Sequence, residues 1–490
     1  MRRISLSLVL LLACSLVFAA CGSKSKSKNS SSSSNGSSSI PGAEIAPASA
    51  IGFVSISTAG SDAQWQQAKT LIARVPSVQK ALDKALSGSG GTLTDYEQAL
   101  GTTTNLVELG TAAKPVEVVL TNATDAAKLK SILAKSTSKK KPVTAVIGSW
   151  LAVSDSQAAL DQFQSAAAKG KLADSGTFKQ ALAGVPADSF VRAYLTGPAI
   201  TASVTSLNLG SASTTNMLKS AAKTNQLEWG TLSVSAVPEG FSVSGVFKGK
   251  TSSANSNSSL IDELPGGIAL AVDLNGKDLG LDKAVLTLRK NATYGKEIPQ
   301  LEALLGVKLE DLATLLGSEM SIYATNSGIG LLIKAPNATQ SKAMLDKVVK
   351  LLSAQLSGAS KPTSIGGVEA TQLTLGKMKV YYGVKSGNLF IVTDANALPG
   401  AGISSDPVYA AAAKVLPVPA SNAGVAFIDF AKLDQLSKSS NSVVKSVGSL
   451  GGSSTAKMSS SFDPRGVSSL LGYIVANGDN VELKALLSVK

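Results

Sequence analysis

The sequence predicts an α+β protein: two tandem, internally duplicated domains, each a mostly antiparallel sheet with helices packed on it. Three observations lead there. Segments with helix-like apolar spacing are interleaved with short strands in which every second residue is apolar, so each sheet has one wet face. Tight-turn signals join the last two strands of each half. Four segments also recur in the same order in both halves, and a repeat of this length sets the architecture.

The recurrences are specific. Pro47 to Ile56 parallels Pro265 to Leu274. Val116 to Leu120, then Asn122-Ala123-Thr124, parallels Gly330 to Ile333, then Asn337-Ala338-Thr339. Gly148 to Asp155 parallels Gly387 to Asp394, and Gly230 to Phe247 parallels Gly472 to Leu487. No single gapless offset aligns them, because small insertions lengthen the second half.

The elements of the first half follow in order. Ser61-x-x-Gln64 predicts the cap of a helix that carries Trp65, Ala68, Leu71 and Ile72 on one face and stops at Pro76. A second helix places Val78, Ala81, Leu82, Ala85 and Leu86 at helical spacing and ends in Gly88-Ser89-Gly90-Gly91. Thr94-x-x-Glu97 predicts the cap of a short third helix. The strand Val116 to Leu120 leads to a helix with Leu129, Ile132 and Leu133. A two-stranded segment turns near Gly148. Helices follow near Ala158 to Phe163 and Phe178 to Leu182, then a strand from Phe190 to Leu195. The half closes on a hairpin: Leu232, Val234 and Ala236 alternate, Pro238-Glu239-Gly240 turns, and Phe241, Val243 and Phe247 alternate again. The matching hairpin of the second half turns at Asn477-Gly478-Asp479.

These readings set the boundaries: a leader over 1–20, a tether over 21–45, copy one over 46–250, a linker over 251–259 and copy two over 260–490. A polar stretch at about 437–461 reads as a flexible insertion in copy two. Val443, Val444 and Val447 give it some helical character.

The leader is a lipoprotein-type signal. Arg2 and Arg3 precede an apolar run from Ile4 to Val17, too short to cross a bilayer, which takes roughly 20 residues. Phe18-Ala19-Ala20 then supplies small residues before Cys21, with Phe where Leu is usual. Lipidation of Cys21, with palmitate among the acyl chains, anchors the mature protein to the outer face of the cell membrane. Two alternatives stay open: ordinary secretory cleavage near Ala20, and Cys14 after Leu11-Leu12-Ala13, which leaves a very short apolar region. Residues 22–41 are almost wholly Gly, Ser, Lys and Asn, a composition that buries too little apolar surface to fold. As a coil this tether spans roughly 25 Å. Lys24, Lys26 and Lys28 beside the lipid each gain about 1 kcal/mol from anionic headgroups, or simply keep the tether soluble.

Composition excludes more than it assigns. The net charge is +13, of which Arg2, Arg3 and the three tether lysines carry five, leaving +8 on the folded part. Lys139-Lys140-Lys141 is the one dense basic run and reads as a solvated loop. Aromatics make up 4% of the chain, too few for the stacking platforms that nucleic-acid binding uses, so no nucleic-acid partner is expected. The 2 cysteines both lie at or before position 21, and histidine is absent. The folded part therefore has no disulfide, thiol nucleophile, thiolate metal site or imidazole base.

The lipoprotein signal, the Ser-rich tether, Ala-Pro-Ala-Ser before a strand, the Gln64-Trp65 helix and the Pro-terminated helix end together resemble an actinobacterial family of uncharacterised lipoproteins with a domain of unknown function (3352). The resemblance covers residues 43–490. It implies a cell-envelope lipoprotein and brings no activity, cofactor or site residue with it.

Motifs that carry chemistry elsewhere are weak here. Gly245 to Thr251 is one residue short of a phosphate loop and has no following helix. Ser77-x-x-Lys80 and Ser136-x-x-Lys139 match a serine–lysine nucleophile pattern that abundant Ser and Lys produce by chance, with no companion motifs. Asp155 and Asp394 read as equivalent helix caps rather than a carboxylate pair. Trp65, Trp150 and Trp229 read as core residues. No catalytic, cofactor or metal residue is expected; Cys21 is the single assigned position. The expected role is a non-enzymatic binding or scaffold protein whose ligand is a lipid, a peptide or another envelope protein. The alternatives are a lipid or small-molecule carrier with an apolar groove, or an enzyme using Asp/Glu or Ser/Lys chemistry.

Overall fold

The computed structural model describes residues 40–137, 141–206, 227–250, 255–279, 281–291, 294–355, 358–375, 378–400, 402–438 and 465–490. The leader, Cys21, the tether up to Ser39, Lys139 and Lys140, residues 251–254 of the linker and nearly all of the 437–461 insertion lie outside the described residues.

The α+β class holds. The first half contributes β1 (Gly52–Ser57), β2 (Thr103–Thr111), β3 (Lys114–Thr121), β4 (Val143–Ile147), β5 (Trp150–Ser154), β6 (Val191–Thr196), β7 (Leu227–Val237) and β8 (Gly240–Gly249). After the two-residue β9 (Ser256–Asn257) come β10 (Ile268–Asn275), β11 (Glu319–Thr325), β12 (Ile329–Ile333), β13 (Ala359–Ile365), β14 (Val368–Leu375), β15 (Met378–Lys385) and β16 (Asn388–Val392). The two-residue β17 (Ser421–Asn422), β18 (Gly424–Asp429), β19 (Val467–Asn477) and β20 (Asn480–Val489) complete the set.

The halves pair their strands in one pattern. β1 lies between β2 and β6; β3, β5 and β4 extend one side, and β7 and β8 the other. β10 likewise lies between β11 and β18; β12, β16 and β15 extend one side, and β19 and β20 the other. The second half adds the hairpin β13–β14 beyond β15. All of these pairings are antiparallel.

Two sheets were expected, and the structure has one. β8 pairs with β20 along its length, from Gly240–Ser488 to Lys248–Asn480, giving a continuous sheet of 18 strands. Each partner is the last strand of its half, with a free row of backbone N–H and C=O groups that needs a partner. The boundary region is tied down too. Asn255 donates to the Ala476 carbonyl and accepts from its amide, and β9 pairs with β17.

Side-chain alternation divides the sheet into two faces. On one face, Phe53, Tyr194 and Trp229 pack beneath the helices Gln157–Ala167 and Gly176–Leu182. On the same face of the second half, Phe427, Leu471 and Leu486 pack beneath the helix Pro407–Val415. On the opposite face one core crosses the junction, joining Leu71, Leu195 and Phe247 to Leu470, Ile474 and Leu483.

Several sequence-level positions shift by a residue or two. Asp62, not Ser61, caps the helix Ala63–Ala73, its carboxylate accepting from Trp65 N at 3.0 Å. Pro76 begins the next helix, Pro76–Gly88, rather than only ending the first. Thr92, not Thr94, caps Leu93–Ala99 in a capping box with Asp95. The strand registers equate Leu232 with Gly472 rather than Gly230 with Gly472, since each lies opposite the same pair of positions on its neighbours. The turn signals hold: Gly148 and Gly478 both adopt left-handed φ, 61° and 63°.

Leu483 is fully buried in the core that spans the junction. Leu483→Ala is expected to cost about 2 to 5 kcal/mol and to lower the denaturation midpoint of both halves together. Chemical unfolding followed by fluorescence and by far-UV circular dichroism checks it.

Candidate functional site

The strongest candidate is a cavity of about 380 Å³ where β1, β2 and β6 end. Register builds its floor. Ser55 of β1 lies opposite Asn105 of β2 on one side and Arg192 of β6 on the other, so the three side chains form a row on one face. Ser57, one alternation further, lies opposite Thr103. Pro41, Asp62, Asp188 and Ser189 stand in its walls.

Arg192 is the informative member. It sits half-buried, and no hydrogen bond or ion pair reaches its guanidinium among the described residues. Burial alone acts on it and lowers its pKa. Half-burying a cation costs free energy unless an anion or acceptors compensate. The two acids nearby do not. Asp62 is occupied, accepting from Trp65 N and, at 2.8 Å, from the Ser57 hydroxyl. Asp188 is exposed and makes no ion pair with Arg192. Asn105, fully buried at the other end of the row and outside the cavity's lining, has neither Nδ2 nor Oδ1 hydrogen-bonded.

The matching place in the second half is built differently. Asp273 stands where the first half has Ser55, opposite Ser321 in the place of Asn105 and Val425 in the place of Arg192. Glu319 stands in the place of Thr103, since both lie two residues before that row. The Ser321 and Ser258 hydroxyls donate to Asp273. The backbone amides of Ser259 and Leu260 donate to Glu319, and Lys334 pairs with it at 3.1 Å. Carboxylates of the chain thus hold residues 258–260 down as a strap. Burial, together with the charge of Glu319, pushes Asp273 up to about 7, while the Ser321 hydroxyl bond opposes the shift.

The residues singled out from the sequence do not gather there. Asp155 is not a cap; Ser156 caps the helix Gln157–Ala167, while Asp394 does cap Ala395–Ala397. Register explains the slip, because Trp150 is matched by Asn388, which makes Ser156 the counterpart of Asp394. Trp150 and Trp229 are core residues. Trp65 is half-exposed and donates to Glu97 at 2.7 Å, so it is a surface bridge rather than core. Ser77 and Lys80 lie on the helix Pro76–Gly88, which has no buried residue. Gly245 to Gly249 run within β8, with Lys248 facing Glu228 at 3.8 Å; Thr251 is outside the described residues. Ser136 donates to the Gly88 carbonyl. Among the described residues no three Asp or Glu side chains form a metal-holding group.

Sequence reading missed Arg192, a lone cation in an otherwise apolar strand, and that interruption was its only signal. It also missed Glu108 and Glu117, which lie directly opposite each other on β2 and β3. Burial and the facing Glu117 charge push Glu108 up to about 7.

One continuous antiparallel sheet with helices on both faces defines an α+β protein, and the polar cavity with its unpaired arginine is its candidate site. The chain belongs to the family described as "Protein of unknown function (DUF3352)", whose model matches residues 121–461. No curated protein matches it. A solved structure titled "Structure of crystal form III of TP0453" is 8% identical, covers 47% of this chain and 94% of that one, and has a TM-score of 0.23. A likeness that weak carries no weight for fold or function.

Glu108 supplies a pH test. Its folded pKa is raised above the ordinary 4.5, so the fold holds a proton that the unfolded chain releases between pH 4.5 and about 7. That contribution is lost as pH rises through this window. Glu108→Gln is expected to leave stability unchanged at pH 4 and to raise it by about 1 to 2 kcal/mol at pH 8, the full shift being discounted for partial exposure. Thermal unfolding at the two pH values checks it.

Proposed function

We propose that the chain is a cell-envelope lipoprotein, held to the outer face of the membrane by lipid on Cys21, that works by binding rather than by catalysis. The observation that carries this reading is in the sequence: a lipoprotein-type leader ends at Cys21, and beyond it there is neither cysteine nor histidine. Thiol and imidazole chemistry are thereby removed from the folded part. The open Arg192 cavity supports a binding role, since ligand sites are concave and carry a few convergent polar groups.

The repeated strand pattern supports reading the two halves as copies of one unit, with the second site closed by its own strap and the first left open. The carrier alternative finds less support. The larger groove, about 660 Å³, lies beside the helices Leu309–Leu316 and Ala338–Gln355, and Glu302, Lys308, Asp311 and Lys347 set charges among its apolar surfaces.

Detergent-phase partitioning tests the anchor. The chain produced in its own membrane is expected in the detergent phase and Cys21→Ala in the aqueous phase. Both forms in the aqueous phase would sink the lipidation reading.

A further inference from the structure

We propose that the Arg192 cavity binds a single small oxyanion, the carboxylate or phosphate group of its ligand, where the second half uses carboxylates of its own. The proposal rests on the binding reading above and names its ligand class.

The argument is a comparison of two places in one chain. In the second half two acids, Asp273 and Glu319, hold the site, and their oxygens take the hydroxyl of Ser258 and the amides of Ser259 and Leu260. In the first half both acids are replaced by hydroxyl residues, Ser55 and Thr103. The apolar Val425 is replaced by a cation, Arg192. All three changes act in one direction: anionic oxygen is removed from the wall, and donors are supplied instead. A guanidinium offers planar, paired N–H donors suited to carboxylate and phosphate oxygens, and charge-assisted bonds of this kind are the strong ones. The cavity, about 380 Å³, admits a small molecule rather than a bare ion alone.

The nearby acids set the ligand's orientation rather than neutralising Arg192. Asp62 is taken up by Ser57 and the helix amide. Exposed Asp188 repels an anion entering at its side. Pro41, near the end of the tether, stands in the wall. A lipid headgroup phosphate is therefore as accessible a source as a free carboxylate or phosphate.

The test is calorimetric titration of the full chain, carrying Cys21→Ala to remove the lipid, with sodium phosphate and with sodium acetate. A second arm measures co-sedimentation with phosphatidylglycerol vesicles against phosphatidylcholine vesicles. Two further variants are compared in that background, Arg192→Met and Ser55→Asp. The first removes the donor, and the second gives Arg192 an internal partner of the kind Asp273 supplies. Each is expected to weaken anion binding at least about tenfold while unfolding at the same or a higher temperature. Arg192-dependent binding of phosphate or acetate assigns a free anion. Arg192-dependent binding of phosphatidylglycerol vesicles alone assigns the headgroup. If every probe binds equally with and without Arg192, or none binds, the proposal is overturned. It is also overturned if Arg192→Met unfolds at a lower temperature and no probe has stabilised the parent, which would make Arg192 a structural residue. A neutral ligand retained in native mass spectrometry would overturn the anion assignment and leave the binding reading standing.

Discussion

The pairing of β8 with β20 is the constraint on which the rest of the structure depends. Each half ends in a long hairpin whose outer strand has a free row of backbone donors and acceptors. An exposed edge of that length is a template for association with other chains. Here the two edges satisfy each other, from Gly240–Ser488 to Lys248–Asn480. The pairing centres on Ser244 opposite Lys484, positions that correspond in the repeated strand pattern, so the halves meet about a local twofold. One consequence is the core that crosses the junction. Phe247 and Leu483 are buried there by residues of both halves. The free energy of joining therefore combines backbone hydrogen bonds with apolar burial on one face.

The same register gives the chain two equivalent places and lets side chains differentiate them. The backbone around Ser55 and around Asp273 is paired in the same way to both neighbours. What differs is chemistry. Asp273 and Glu319 close the second site by holding a strap of the chain itself. The hydroxyls and Arg192 leave the first site open, with an unpaired cation in its wall. The strapped site resembles a filled version of the open one, and that contrast, more than the size of either cavity, is why the first is read as a binding site. Similar logic appears at Glu44 and Glu263, which accept from Trp150 Nε1 and Asn388 Nδ2, matched residues on matched strands.

Local structure was legible in the sequence to the extent that local physics decides it. The alternation in Leu232, Val234 and Ala236, and the turn at Asn477-Gly478-Asp479, fixed both closing hairpins. Helix caps were harder, because a Ser, Thr or Asp one or two residues away competes for the same amides; Asp62 displaced Ser61, Thr92 displaced Thr94, and Ser156 displaced Asp155. Partners distant in sequence were not legible. Alternation says which face a residue takes but not which strand lies beside it, and β8 and β20 are separated by nearly the whole second half of the chain. The β13–β14 hairpin, built from Ala359–Ile365 and Val368–Leu375, was not singled out either, since its apolar positions are weakly buried and its alternation correspondingly faint. Arg192 was unreadable as a site for a different reason: its meaning comes from Ser55 and Thr103, which enter the cavity from other strands.

Hydrogen exchange of the β8 amides in the full chain tests the joining of the halves most directly. Successive amides of β8 point alternately toward β7 and toward β20. The single-sheet account predicts that both sets, over residues 240–249, exchange as slowly as the amides of β7. Exchange of the β20-facing set at the rate of an exposed edge, with the β7-facing set protected, would contradict it and return the molecule to two separate sheets.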